Sequence, residues 1–374
     1  SRCLFPKFDV MDKARWDGWR LEKTDVAERR DAAEVLSQSP QGLKEAVAHL
    51  RSLDPYVRQA ALHAIEQAGE RAASHAHDVV ALLRDDTQYV RMAALQALVA
   101  MNVPDTEATF RAVGETLERL GDENESVRRS ALEVLKGSLF RRAIFRTDVI
   151  VKQLDSRNPG IRRTALKALA ILKLDALEAA RLLIDQVGYV RVEAIKTVGI
   201  IVGSGEHGLE QEDLETVSRL VLERLGDSTA GVSKAVVEVA QQLEAAGAPV
   251  ARQLCGYFGH SNWRVRKTAA SIAQSLKCGS TLREQLDLMA LQDENDKARG
   301  AAREAAFVLA GAVTNAAAAS ELPTPRLGQH GPTWVPERIG TVRPQCPFGL
   351  KTHWRALTLA WHDCRALSHH VRPG

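Results

Sequence analysis

The chain has 374 residues, of which 45% are hydrophobic but only 5% aromatic, and its 50 basic and 47 acidic side chains leave a formal charge of +3. That length suits one large or two ordinary domains, and so even a charge balance argues against bulk nucleic-acid binding. The five cysteines, Cys3, Cys255, Cys278, Cys346 and Cys364, include no CxxC spacing. They argue against a disulfide framework or a zinc site and for a reducing, intracellular setting, with the cytoplasm expected. No signal peptide and no apolar run of about 18 residues is present, so no membrane insertion is expected. The chain begins at Ser1, and Met11 is a candidate start.

Residues 1–40 are highly charged, with eight basic and eight acidic side chains. A helical stretch runs from Asp25 to about Leu36, and Arg29–Leu36 (RRDAAEVL) reads as a partial N-terminal cap that shields the first apolar face of a stacked array.

From there one phrase recurs. It reads DPYVRQAALHAI from Asp54, DTQYVRMAALQAL from Asp86, ENESVRRSALEVL from Glu123, RNPGIRRTALKAL from Arg157 and QVGYVRVEAIKTV from Gln186. Weaker copies start at Ser228, Ser261 and Glu294. The first residue of the central pair falls at Val57, Val90, Val127, Ile161, Val190, Val232, Val265 and Ala298, at intervals of 33, 37, 34, 29, 42, 33 and 33 residues. Such periods mean stacked supersecondary units. Val57, Ala60, Ala61, Ala64 and Ile65 lie on one helical stripe, and the Asp, Asn, Ser or Pro before each copy is a helix-start signal. Amphipathic stretches at Leu43–Leu50, Val79–Leu83, Val149–Leu154 and Leu214–Leu225 precede copies of the phrase. Each unit therefore reads as helix A, a polar turn and helix B.

The phrase D-x-x-x-V-R-x-x-A-x-x-A-L resembles the HEAT-repeat family over roughly residues 41–315. The resemblance implies an all-α, right-handed alpha-alpha superhelix of about eight helical pairs, with the partial N-terminal cap before it. It also implies B helices on the concave surface and a role in binding other proteins. The second residue of the pair is Arg58, Arg91, Arg128, Arg162, Arg191, Arg266 and Arg299, with Ser233 the one departure. In HEAT arrays this arginine pairs with turn acids, here such as Asp54 or Asp86, so a structural ladder with a gap at Ser233 is expected.

Two places break the spacing. Pro104 marks a turn between the second and third units. The 42-residue interval holds Gly203, Gly205 and Gly208 and reads as a hinge or a surface loop.

Charge is patterned. Between Val127 and Lys173 twelve basic residues face three acids, and between Glu206 and Asp227 seven acids face two arginines. On the B helices, positions two and six after the pair's first residue should face outward. They hold Arg129, Arg163, Lys167, Lys196, Lys234 and Lys267. This track reads as a groove for an acidic partner segment, or else as a solvated face. Tyr56, Tyr89 and Tyr189 directly precede the pair, as contact anchors or as packing between repeats.

Catalytic signals are missing. The array has no P-loop, no nucleophile elbow and no recurring histidine position. No His-Glu dipeptide occurs, which counts against the HEAT-repeat hydroxylases with di-iron centres. A bilin-lyase-like accessory factor is the enzymatic alternative, and nucleic-acid binding through the basic track is a third reading. The expectation is a binding scaffold, neither enzyme nor cofactor protein. Beyond about residue 315 the pattern stops. Residues 316–374 are rich in Pro, His and Trp and read as mostly irregular. Within them Leu350, Trp354, Leu357, Trp361 and Cys364 suit a short helix at 350–367, as a cap, as a partner-docking element or as a segment with no stable form.

Overall fold

The computed structural model describes residues 18, 20–102, 107–137, 143, 146–205, 208–276 and 279–320. The turn at Pro104 and residues 321–374 of the tail, including the expected helix at 350–367, lie outside them, whereas residues 316–320, expected to be irregular, continue the last helix. Every regular element among the described residues is helical. The first helix whose bounds are described, α1 (Val26–Ser37), stands outside the pairs. Pairs then follow in A–B order: α2 (Pro40–His49) with α3 (Pro55–Ala68), α4 (Ala76–Ala81) with α5 (Gln88–Met101), α6 (Glu107–Arg119) with α7 (Glu125–Lys136), and α8 (Thr147–Gln153) with α9 (Pro159–Leu172). The last four are α10 (Ala176–Arg181) with α11 (Gly188–Gly203), α12 (Gln211–Leu222) with α13 (Ala230–Ala245), α14 (Val250–Leu254) with α15 (Trp263–Leu276), and α16 (Gly279–Gln292) with α17 (Asp296–Ser320). Several A helices are short and end in a 3-10 turn, as at Leu82–Arg84 and Leu182–Ile184.

The B helices start where the sequence supplies caps. Asp54, Asn124 and Asn158 each accept a backbone N–H from the first turn of the helix they precede. This satisfies donors that have no partner within the helix. Pro55 and Pro159 fill first-turn positions, where a missing N–H costs nothing.

Each B helix packs on its own A helix and on the B helices before and after it, with α1 serving as the B helix ahead of α3. The contact stripe is the repeated one: Val57, Ala60, Ala61, Ala64 and Ile65 are buried in α3, as are Val90, Ala93, Ala94, Ala97 and Leu98 in α5. Alanines at these positions let the helix axes approach closely, so the core is one continuous apolar layer between the A and B rows.

The long interval leaves the stack at the C-terminal end of α11. Gly205 and Gly208 take positive φ of 72° and 62° in the loop after α11, a region open to glycine at little steric cost. Underneath it α11 and α13 pack directly on one another. A Cβ on Gly199 would lie 2.6 Å from Val239 Cγ2 and 2.4 Å from Gln242 Oε1, so the two B helices touch at closest range beside the insertion. Gly199→Val is therefore expected to cost about 2 kcal/mol or more, read as a lower urea midpoint. Gly203→Ala, whose Cβ would meet Gln242 at an ordinary 3.6 Å, should be tolerated. Equal stability of the two variants would contradict the close approach.

Candidate functional site

The arginine column builds a chain of joints between units. Arg58 donates from Nε and Nη2 to both carboxylate oxygens of Asp85, at 2.8 and 2.9 Å, and from Nη1 to the carbonyls of Ser52 and Leu53 in its own A–B turn. Arg91 repeats the pattern with Asp122 and with the Asp85 and Asp86 carbonyls. Arg162 grips Asp185, Arg191 grips Asp227 and Arg266 grips Asp293 in the same fork. The carboxylate in turn accepts the N–H two residues ahead, as Asp185 does from Val187 at 2.8 Å. One guanidinium thus closes its own turn and clamps the next.

The acids expected from the sequence are not the ones used. Asp54 caps the N–H of Tyr56 instead, and Asp86 offers Arg91 only its backbone carbonyl. The true partners stand six residues before the next unit's arginine position: Asp85, Asp122, Asp185, Asp227 and Asp293. That column was visible in the sequence at constant offset, one step upstream of the motif.

The ladder has three irregular places. At Ser233 the hydroxyl donates to the Leu225 carbonyl at 3.3 Å, and His260 stands where the next carboxylate would be. Arg299, in the last pair, turns back to Asp296 of its own helix and to the Asp293 carbonyl. Arg128 keeps its bonds to the Asp122 and Glu123 carbonyls at 2.7 and 2.9 Å, but the aspartate position ahead of it is Ser156.

On the B-helix face the six track residues divide. Arg129 reaches Glu125 at 3.5 Å, Arg163 reaches Glu193 at 3.0 Å and Lys234 reaches Glu238 at 3.8 Å. Among the described residues no ion pair falls on Lys167, Lys196 or Lys267. Lys167 and Lys196 hold the same position on the adjacent helices α9 and α11. Lys196 and Lys267 are exposed and Lys167 is partly so. Acids interleaved on the same face, which a scan for basic residues misses, turn a continuous track into one that is half neutralised.

The wider basic segment also disperses. Arg146 and Lys152 fall at the A-helix side in and before α8, Arg157 in a turn, and Lys173 at the end of α9, where it takes a positive φ of 56°. Arg141 and Arg142 lie outside the described residues. The tyrosines remain about half exposed at the A–B turns, and two carry a cation: Arg29 lies 5.3 Å from the Tyr56 ring and Arg163 5.7 Å from that of Tyr189. Leu53 and Ile184 are exposed along the same turn edge.

The histidines are spread over separate units, His63 beside Glu66 and His77 beside Arg111. Among the described residues no group of three or more metal-ligating side chains is brought together, and no helix is long and apolar enough to cross a membrane.

The described residues have the fold of an alpha-solenoid of HEAT-type helical pairs. No protein-family model matches the chain, and no curated protein matches it in sequence. Solved structures share the fold at low identity. The yeast importin-beta Kap95p aligns at 15% identity with a TM-score of 0.53, over 81% of this chain and 44% of that one. The Kap95:Nup1 complex aligns at 14% identity with a TM-score of 0.55, over 81% and 44%. An importin beta crystallised from ammonium sulfate gives 16% and 0.50, over 81% and 45%. The chain thus spans less than half the length of the importin-beta chains it resembles.

The joints carry a pH dependence. Burial by itself raises the Asp185 and Asp227 carboxyls. Hydrogen bonds from Arg162 and the Val187 amide, and from Arg191 and the Thr229 amide, together with the arginine charges, outweigh it and hold both below the usual carboxylate range. At Asp293 the Arg266 bond is the leading influence and the direction is the same. A carboxyl depressed on folding adds stability that is fully present above its unfolded value of about 4 and is lost as pH falls through the folded value. Asp227→Asn, which leaves the shielded Arg191 without its charge partner, is expected to lower stability by about 3 kcal/mol at pH 7. The deficit should shrink below about pH 4, as read from urea midpoints between neutral and acid pH. A deficit constant with pH would assign the loss to packing.

Proposed function

We propose that the protein is a binding scaffold, acting without catalysis of its own, whose B-helix face docks an acidic segment of a partner protein across the fourth to sixth units. The observation that carries this is the pair Lys167 and Lys196. They occupy one position on neighbouring helices, whose axes in such packing lie about 8–10 Å apart, and neither has a counterion among the described residues. Arg129, Arg163 and Lys234 around them are only loosely held, at exposed positions where an ion pair contributes about 1 kcal/mol or less. An incoming carboxylate displaces such pairs at little cost and relieves the lysine repulsion. A protein complex of the same fold, Kap95 with Nup1, supports protein binding as the work of the architecture, and the fold by itself fixes no partner.

The test is fluorescence anisotropy with a labelled glutamate-rich peptide. Lys167→Glu with Lys196→Glu should weaken binding about tenfold. Lys152→Glu with Lys173→Glu changes the net charge equally at sites off the face and should leave it unaltered, with both variants equally helical by circular dichroism. Equal losses in both would mean that net charge alone was being read. Tighter, steeply salt-dependent binding of a single-stranded oligonucleotide would favour nucleic acid over protein as the partner.

A further inference from the structure

One joint of the ladder lacks its acid while keeping its arginine. Ser156 stands six residues before Arg162, as Asp85 stands before Arg91 and Asp185 before Arg191. Its Oγ accepts the N–H of Asn158 at 3.2 Å. This is the turn bond that carboxylate oxygens make elsewhere, Asp85 with Thr87 and Asp122 with Asn124 both at 2.9 Å. The Oγ therefore sits where an aspartate oxygen sits in the other turns.

The register of the ladder sets Arg128 opposite. Its Nη1 is held by the Asp122 and Glu123 carbonyls, as in the five rungs that grip an aspartate. Its Nε has no hydrogen-bond partner, although the residue is only 7% exposed. A Cβ on residue 160 would lie 2.8 Å from Nη2, so Gly160, at the head of α9, leaves room for the guanidinium. A shielded cation with two idle donors and no counterion among the described residues is costly. The same fork binds a carboxylate at five other joints.

We propose that Ser156 is a phosphorylation site and that a phosphoryl group on its Oγ takes the empty carboxylate position, gripped by Nε and Nη2 of Arg128. In the modification the Ser156 Oγ–P bond forms as the bond from the γ-phosphorus of a nucleoside triphosphate to its β–γ bridging oxygen breaks. The nucleoside diphosphate leaves, and the hydroxyl proton passes to the base of the acting kinase. Ser156 is partly accessible and is flanked by exposed Asp155, Arg157 and Asn158. Two phosphoryl oxygens meet the arginine fork, a geometry guanidinium favours, and the added charge lies just ahead of the positive end of the α9 dipole. Phosphorylation then converts the joint between the third and fourth units from an unbridged to a bridged one, directly beside the helix that carries Lys167.

Phosphoserine placed at position 156 by genetic encoding in the full chain tests this. The modified protein should melt about 2 °C or more above the unmodified one, and the rise should vanish in an Arg128→Met background. The second phosphate ionisation, followed by 31P NMR, should fall below its ordinary value of about 6, because the guanidinium favours the dianion. No rise, or a rise that survives Arg128→Met, overturns the proposal. Should Arg128→Met fail to fold, the 31P titration in the native background decides, and an ordinary value overturns it. An equal, Arg128-dependent rise from millimolar sulfate on the unmodified protein would show the fork to be filled from solution and would overturn the assignment to Ser156.

Discussion

A pair of antiparallel helices has apolar surface on two sides and can bury only one of them against itself. The other must be met by the next pair, and this demand shapes the whole chain. It explains why the buried stripe is written in alanine and valine more than in aromatics: B helices that each touch two other B helices need small residues at the crossing points. The contact of Gly199 with Val239 and Gln242 is the extreme case. It also explains why an insertion after α11 does no harm to the array, because the loop leaves at the end of the helix while the packing surface runs on beneath it.

Apolar stacking alone does not fix how each turn meets the next, and the arginine–aspartate joints supply that. Each arginine places its fixed fork of donors between two carbonyls of its own turn and both oxygens of one carboxylate in the following unit. The aspartates are almost wholly shielded, 3% exposed at the side chain for Asp122 and 2% for Asp293. Removing one partner of such a pair therefore costs more than making the pair gains. The array is jointed by repeated, individually breakable clamps, and the places where a clamp is absent, at Ser156 and at the Ser233–His260 step, are local features of the stack.

The same logic separates structural charge from charge available to a partner. Arginines with bidentate carboxylates are committed. Side chains such as Arg163, bonded to Glu193 yet 46% exposed, are only loosely held, and lysines with no counterion among the described residues are uncommitted. The docking reading rests on the last group, on one face and on adjacent helices.

The helices, their caps, the eight pairs and the N-terminal capping helix could all be read from the sequence, because each is set by residues three, four or seven apart, and local spacing decides which side of a helix is apolar. The arginine column was also legible, and so was its departure at Ser233. Its partners were not. Asp54 and Asp86 lie nearest the motif, yet the carboxylates that bind come 23 to 36 residues after their arginines, and only the stacking of units sets which of the turn acids a fork reaches. Likewise the twelve basic residues between Val127 and Lys173 form one block in sequence but separate onto A helices, turns and B helices in space. Local spacing determined the repeat and its core. The pairing of charges was decided by tertiary structure, because an ion pair depends on distances between units that no single unit encodes.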